Sequence, residues 1–408
     1  MKRLHAACCS SLILLFGFLG TGWGQTFSVI YNFTGAEDGA HPIAGLTTDG
    51  VGNFYGTTLS GGLGGDGDGW GVVYRLSRSN SGWNYKTLYR FIEPSRGLRP
   101  WAGVTVANQS TLYGATEIGG DPNWTAGTIY SLAAPAANPT VVSSWSENVL
   151  FAFNYYDGDG PLGEPILDQV GRLYGTTNIG GRKYWGGVAY RLEEVAGNWQ
   201  ETVLWEFGNG LDGVNPEGPL IFDSSGNLYG VTSKGGKFNR GTIFELMPTG
   251  QEWTEKVLYD FRDQEDGMRP YAGLIFDNAG NLYGSASCGG KNQIGTVFEL
   301  IRSGDSWIFK LLYPVGTLDT LTMDKAGNIY GAQGGGLFGH GAVFTLSPTE
   351  GLWKYTDLHD FNGIDGDLPW GRILVDADGS LYGTTDDGGP YQCRFNSGCG
   401  NIYQIRFP

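Results

Sequence analysis

Histidine and cysteine are scarce in this 408-residue chain, at four and five residues, and charged side chains make up only 16% against about 25% in ordinary globular domains. Gly-x-Ser-x-Gly, His-Glu-x-x-His and Walker patterns are all missing, which removes the readable signatures of serine hydrolases, zinc peptidases and nucleotide-binding enzymes. No apolar run approaches the about 20 residues that a membrane-spanning helix requires. Basic residues are also few, 26 against 41 acidic ones for a net charge of −15. That balance argues against nucleic acid and anionic membrane as partners, since both are bound through Lys and Arg. What the chain has instead is glycine, 70 residues, with 14% aromatic and 40% hydrophobic residues. So much glycine excludes a helical protein, and so much apolar material permits a large core.

Residues 1–24 read as a secretory leader. Lys2 and Arg3 form a basic start, residues 12–19 (LILLFGFL) an apolar centre, and Gly22 and Gly24 flank Trp23 ahead of a cut before Gln25. Cleavage takes the formal charge from −15 to −17, and the mature chain, residues 25–408, is expected to be soluble outside the cytoplasm, secreted, periplasmic or at the cell surface. Cys8 and Cys9 leave with the leader. Cys393 and Cys399, separated by five residues in a Gly-rich loop, are expected to pair in an oxidising compartment. Cys288 is then left over, either buried and inert or open to intermolecular pairing.

The dominant feature is a repeat. A segment of the Leu-Tyr-Gly-Thr-Thr type occurs seven times, starting at Phe54, Leu112, Leu173, Leu228, Leu282, Ile329 and Leu381, with a mean period of about 54 residues. Each copy is followed by a Gly-Gly loop and a second segment, such as GVVYRL from Gly71 or GTVFEL from Gly295. A third segment, such as VLYDF from Val257, follows these six times, and its seventh copy, VIYNF from Val29, stands alone at the start. A fourth, such as AGLIFD from Ala272, precedes each Leu-Tyr-Gly segment across a turn like DNAGN from Asp277. All four are short, β-branched or aromatic, and bounded by Gly, Asn, Asp and Pro, which is the strand signature. Four antiparallel strands repeated seven times without helices predict an all-β, seven-bladed propeller, because radial closure protects so many short edges. The lone first copy is expected to complete the last blade and close the ring, making residues 25–408 one domain. In the DxxGN turns, Asp and Gly have a sufficient explanation as turn formers.

These repeats resemble those of secreted bacterial "choice-of-anchor" tandem-repeat proteins of the GloVer type, whose pattern runs LYGTT, a Gly-Gly loop, GTVFxL, then VLYxF-x-G-x-x-DG-x-x-P. The resemblance covers residues 26–407 and implies an exported repeat protein with a propeller-like fold. Two units depart from it: PSRGLRP from Pro94 lacks the Asp-Gly step, and PVGTLDTL from Pro314 lacks the DG-x-x-P loop. The chain ends at IRFP, so the surface anchor of many relatives is not expected here.

With the strands named a (AGLIFD), b (LYGTT), c (GTVFEL) and d (VLYDF), the b–c and d–a loops share one face, where a site is expected. Trp70, Trp124 and Trp185 lie late in b–c loops, while Trp101, Tyr271 and Trp370 follow Pro in d–a loops. They read either as an aromatic platform for sugar rings or as plugs between blades. The Asp-Gly loops contribute Asp38, Asp157, Asp159, Asp212, Asp266, Asp365 and Asp367, which read either as a rim for Ca²⁺ or sugar hydroxyls or as turn formers. Asp66 and Asp68 resemble a fragment of a Ca²⁺ loop without its distal Glu. His41, His340 and His359 fall in non-equivalent parts of three units, so no histidine cluster is readable, and no catalytic residue stands out. The expectation is a monomeric, non-enzymatic propeller that binds an extracellular glycan and needs no cofactor other than a possible Ca²⁺. The alternatives are a polysaccharide lyase or glycoside hydrolase at the channel mouth, with Lys234 or Lys291 as a candidate base, and a protein-interaction module of the cell envelope.

Overall fold

The computed structural model describes residues 24–62, 69–80, 82–120, 126–135, 145–250, 252–262, 265–317, 319–393 and 397–408. They form seven four-stranded antiparallel sheets. In six sheets the strands follow chain order, as Ile221–Phe222 (a), Leu228–Thr232 (b), Thr242–Thr249 (c) and Glu252–Asp260 (d) do in the fourth. In the seventh, Leu374–Val375, Leu381–Thr385 and Asn401–Arg406 supply a to c, and Thr26–Asn32 takes position d by pairing with Asn401–Arg406. The expected closing strand is therefore in place.

The buried side chains fall into seven clusters, one at each junction between successive sheets. One of them joins Phe54 and Tyr74 of the first sheet to Tyr382 and Ile402 of the seventh. The sheets thus close into a ring, a seven-bladed β-propeller, and each blade buries both of its faces against a neighbour. Among the described residues the one helical piece is a 3-10 turn, Pro94–Arg96, and no helix is long and apolar enough to cross a membrane.

Each letter of the repeat has a physical reason. The Gly of strand b sits opposite the aromatic residue of strand c: Gly56 pairs with Tyr74, and a Cβ there would lie 2.4 Å from the Tyr74 hydroxyl. The same clash would recur at Gly114, Gly175, Gly230, Gly284, Gly331 and Gly383 with Tyr130, Tyr190, Phe244, Phe298, Phe344 and Tyr403. In five units the Tyr of strand b donates to the Asp that builds the a–b turn, as Tyr55 does to Asp49 (3.3 Å) and Tyr330 to Asp324 (3.1 Å). That Asp also accepts two turn N–H groups, from Val51 and Asn53 in the case of Asp49, so the turn reading of DxxGN holds. The first Thr of strand b ties neighbouring blades together: Thr57 donates to the Ala102 carbonyl (2.9 Å) and Thr384 to that of Ala44 (3.0 Å).

Candidate functional site

The seven segments that lead into the a strands all converge on one open cavity of about 100 Å³. Strand a is therefore innermost. Because each segment arrives from a d–a loop, the cavity is the channel mouth on the face that carries the Gly-rich and Asp-Gly loops. Equivalent positions of successive blades form two rungs. The outer rung includes Ile43, Trp101, Leu162, Glu217, Tyr271 and Trp370, and the inner one Gly45, Gly103, Glu164, Pro219, Thr320 and Arg372, with Asp319 between them. Trp101, Tyr271 and Trp370, singled out in the sequence, are thus brought to one mouth, each half-buried. Tyr271 and Trp370 belong to blades two apart, yet their ring centroids lie 6.4 Å from each other at a 32° tilt. The cavity falls below the about 300–1,000 Å³ of an enclosed small-molecule pocket. It suits a ligand that lies across the mouth.

Charge at the mouth is organised around Arg372. Its guanidinium is 3.4 Å from a Glu164 carboxylate oxygen, and its backbone N–H donates to Asp319 (2.9 Å). Glu164 also accepts from the Thr105 hydroxyl (3.4 Å), and Glu217 accepts from Ser233 (2.7 Å). Burial pushes the Glu164 carboxyl above its ordinary value, the Arg372 charge pulls it back, and Asp319 adds to the rise. Burial raises Asp319 too, against the Thr320 N–H and the same Arg372 charge. The mouth thus carries three carboxyl groups, Glu164, Glu217 and Asp319, and one guanidinium, that of Arg372.

The other sequence candidates lie elsewhere on this face. Trp70 is half-buried against the cluster between the first two blades, and its carbonyl accepts from the Arg99 N–H (2.9 Å). Trp185 is 53% exposed and tilts against the exposed Tyr156 at 6.1 Å, far more open than Trp70. Trp124, Asp66 and Asp68 lie outside the described residues. Five of the seven carboxylates from the Asp-Gly loops close their own loop. Asp38 accepts from Tyr31 and the Thr34 N–H, Asp157 from the Asn154 N–H, Asp212 from Trp205 and the Gly208 N–H, Asp266 from Tyr259 and the Arg262 N–H, and Asp365 from the Asn362 N–H. Asp159 instead forms a backbone bridge with Ile179, and its carboxyl is pushed up to about 6 by burial and by Glu117. Lys234 and Lys291 are exposed. Cys393 and Cys399 form a disulfide, and Cys288 is buried.

The structure also assembles what the sequence had scattered. All three histidines among the described residues meet carboxylates around the seventh blade: His41 on Asp386 and Asp387, His340 on Asp367 (2.9 Å), and His359 on Asp365 (3.0 Å). His41 is pushed up to about 10, its burial being outweighed by the two carboxylates beside it.

Seven blades around a polar, aromatic mouth define a β-propeller in which loops, not blades, carry the individual features. The chain belongs to the Gloeobacter/Verrucomicrobia repeat family, whose pattern matches residues 18–183 and 141–319. Among solved structures it is similar to a Bacteroides uniformis protein named, provisionally, a 6-phosphogluconolactonase, with 12% identity, a TM-score of 0.50, and coverage of 78% of this chain and 84% of that one. It is similar also to PorZ, a surface component of the type-IX secretion system of Porphyromonas gingivalis, with 15% identity, a TM-score of 0.50, and coverage of 92% of this chain and 47% of that one. At such identities the likeness concerns the fold alone. No curated protein sequence matches the chain.

Proposed function

We propose that this propeller acts outside the cytoplasm as a non-enzymatic glycan-binding protein and that the glycan lies across the channel mouth. The observation that carries this reading is the convergence of Trp101, Tyr271 and Trp370 beside Glu164, Glu217 and Asp319. Half-exposed indole and phenol faces offer stacking surfaces for sugar rings, and carboxylates accept from sugar hydroxyls. The leader and the Cys393–Cys399 disulfide support an extracytoplasmic setting. A glycan array probed with the protein is the test, run with Ca²⁺ and again with EDTA. Trp370→Ala and Trp101→Ala are each expected to weaken binding at least tenfold while circular dichroism stays unchanged. A ligand that binds both variants as it binds the parent refutes the mouth as the site. Loss in EDTA moves the site toward a Ca²⁺-bridged rim, and silence throughout favours an envelope protein as partner.

A second reading has one observation in its favour. Glu164 is a half-buried carboxyl held above its ordinary pKa by desolvation, and the charge of a second carboxyl, Asp319, adds to the rise, which is the arrangement of a general acid with a partner. Reducing ends or unsaturated sugars released from a polysaccharide panel, and abolished by Glu164→Gln, would establish it.

A further inference from the structure

His41, Asp386 and Asp387 lie at opposite ends of the chain, and the ring seam brings them together. His41 follows the closing strand, in the loop to the first blade, and the two aspartates begin the b–c loop of the seventh. The His41 Nδ1 atom faces three oxygens at once: the Asp386 carbonyl at 3.1 Å, Asp386 Oδ1 at 3.2 Å and Asp387 Oδ1 at 3.1 Å. One ring N–H cannot serve three acceptors. Burial adds to that crowding. Asp387 is only 8% exposed, and its Oδ1, shielded from solvent, has the His41 ring nitrogen at 3.1 Å but takes no hydrogen bond of regular geometry among the described residues. A buried carboxylate oxygen left in that state is costly, and a cation is the usual remedy.

The spacing fits one. Donor atoms bound at about 2.0–2.2 Å to a common ion lie roughly 3 Å or slightly more from each other, which is the spread of the His41 contacts, and the three side-chain donors fall within 4.8 Å of one another. We propose that His41 Nδ1, Asp386 and Asp387 form a binding site for a first-row divalent transition metal, such as Zn²⁺ or Mn²⁺, that clips the ring seam. An imidazole in the donor set selects such ions over Ca²⁺. The surroundings hold the donors in place. The His41 N–H donates to the Cys399 carbonyl (3.0 Å), the Cys393–Cys399 disulfide anchors the same b–c loop, and Asp387 exchanges backbone hydrogen bonds with Asp367. An ion here would join the loop after the first strand to the last blade, and such a link is expected to stabilise the closed ring.

The test titrates the protein, expressed with its own leader, with ZnCl₂, MnCl₂ and CaCl₂ by calorimetry and equilibrium dialysis, and follows the melting temperature alongside. One Zn²⁺ or Mn²⁺ per chain and a rise in melting temperature are expected. Asp387→Asn should lower the affinity at least tenfold and remove the rise, and so should His41→Ala. His340→Ala should do neither. If His41→Ala fails to fold, the isosteric Asp387→Asn still decides. No binding at millimolar metal, binding that survives Asp387→Asn, or a preference for Ca²⁺ would each overturn the proposal. The readouts involve no glycan, so this test stands apart from that of the mouth.

Discussion

Arg96 and Glu147 form an ion pair at the junction between the first and second blades, in positions that an aspartate and an aromatic residue hold at the seam next door. There Asp38 accepts from Tyr31 (2.9 Å) and Tyr31 stacks on Tyr85 at 4.2 Å. Glu147 replaces that aromatic in strand d, opposite Leu132 as Tyr85 is opposite Leu76. Arg96 replaces the Asp of the Asp-Gly step. The departure PSRGLRP is therefore one half of a paired exchange.

Breaking the pair should destabilise the protein. Glu147 has its side chain fully enclosed while Arg96 is 39% exposed, so Arg96→Ala is expected to fall at or below the low end of the about 3–5 kcal/mol typical of stranding a buried charge. Arg96→Asp combined with Glu147→Tyr should recover most of the loss by rebuilding the neighbouring pattern. Urea unfolding of the three chains measures it, and a double variant no better than the single one contradicts the exchange.

Four tyrosine hydroxyls, those of Tyr74, Tyr130, Tyr190 and Tyr403, are buried over the strand b glycines and have no hydrogen-bond partner among the described residues. The equivalent residues Phe244, Phe298 and Phe344 fill the same space without a hydroxyl. Each Tyr→Phe change should leave stability unchanged or raise it by up to about 1 kcal/mol, since an unsatisfied buried donor is a cost. A drop of that size at any of the four would show that the hydroxyl has a partner.

Glu201 and Glu255 lie in d strands at the junction position where other blades use an aromatic. Burial pushes both carboxyls up to about 8, aided by Asp157 for Glu201 and by Asp212 and Asp260 for Glu255. Below about pH 4.5 both chain states hold these protons. As the pH rises from there to about 8, the unfolded chain releases protons that the folded one retains, so stability falls across that window and levels off above it. Thermal melts at pH 5 and pH 8 should show the decline, and Glu201→Gln with Glu255→Gln should flatten it. An undiminished slope in the double variant refutes the assignment.

Cys288 is 6% exposed inside the fifth blade. A thiol reagent should therefore miss it in the folded, processed protein and modify one thiol per chain after denaturation without reductant. Rapid modification of the native state would contradict its burial.

The architecture was legible in the sequence because the repeat records pairwise contacts. Strand b carries a Gly because strand c carries an aromatic, and in five units its Tyr answers the Asp of the preceding turn, so successive copies repeat the same evidence. The sites were not legible for the opposite reason. Glu164, Asp319 and Arg372 stand where other units have the Ala-Gly of AGL, a departure visible in the sequence that gains meaning only once strand a is known to be innermost. His41 and Asp386, at sequence positions 345 apart, meet through ring closure alone. No local pattern encodes that meeting.

The pairing of Thr26–Asn32 with Asn401–Arg406 also sets the order in which the molecule can be finished. Within this propeller Thr26–Asn32 has no place in a blade until Asn401–Arg406 emerges, so every intermediate length between them carries an unpaired edge. Sealing the circle is thus the one pairing that a chain cut short before residue 401 is expected to lack, since nothing remains to receive Thr26–Asn32.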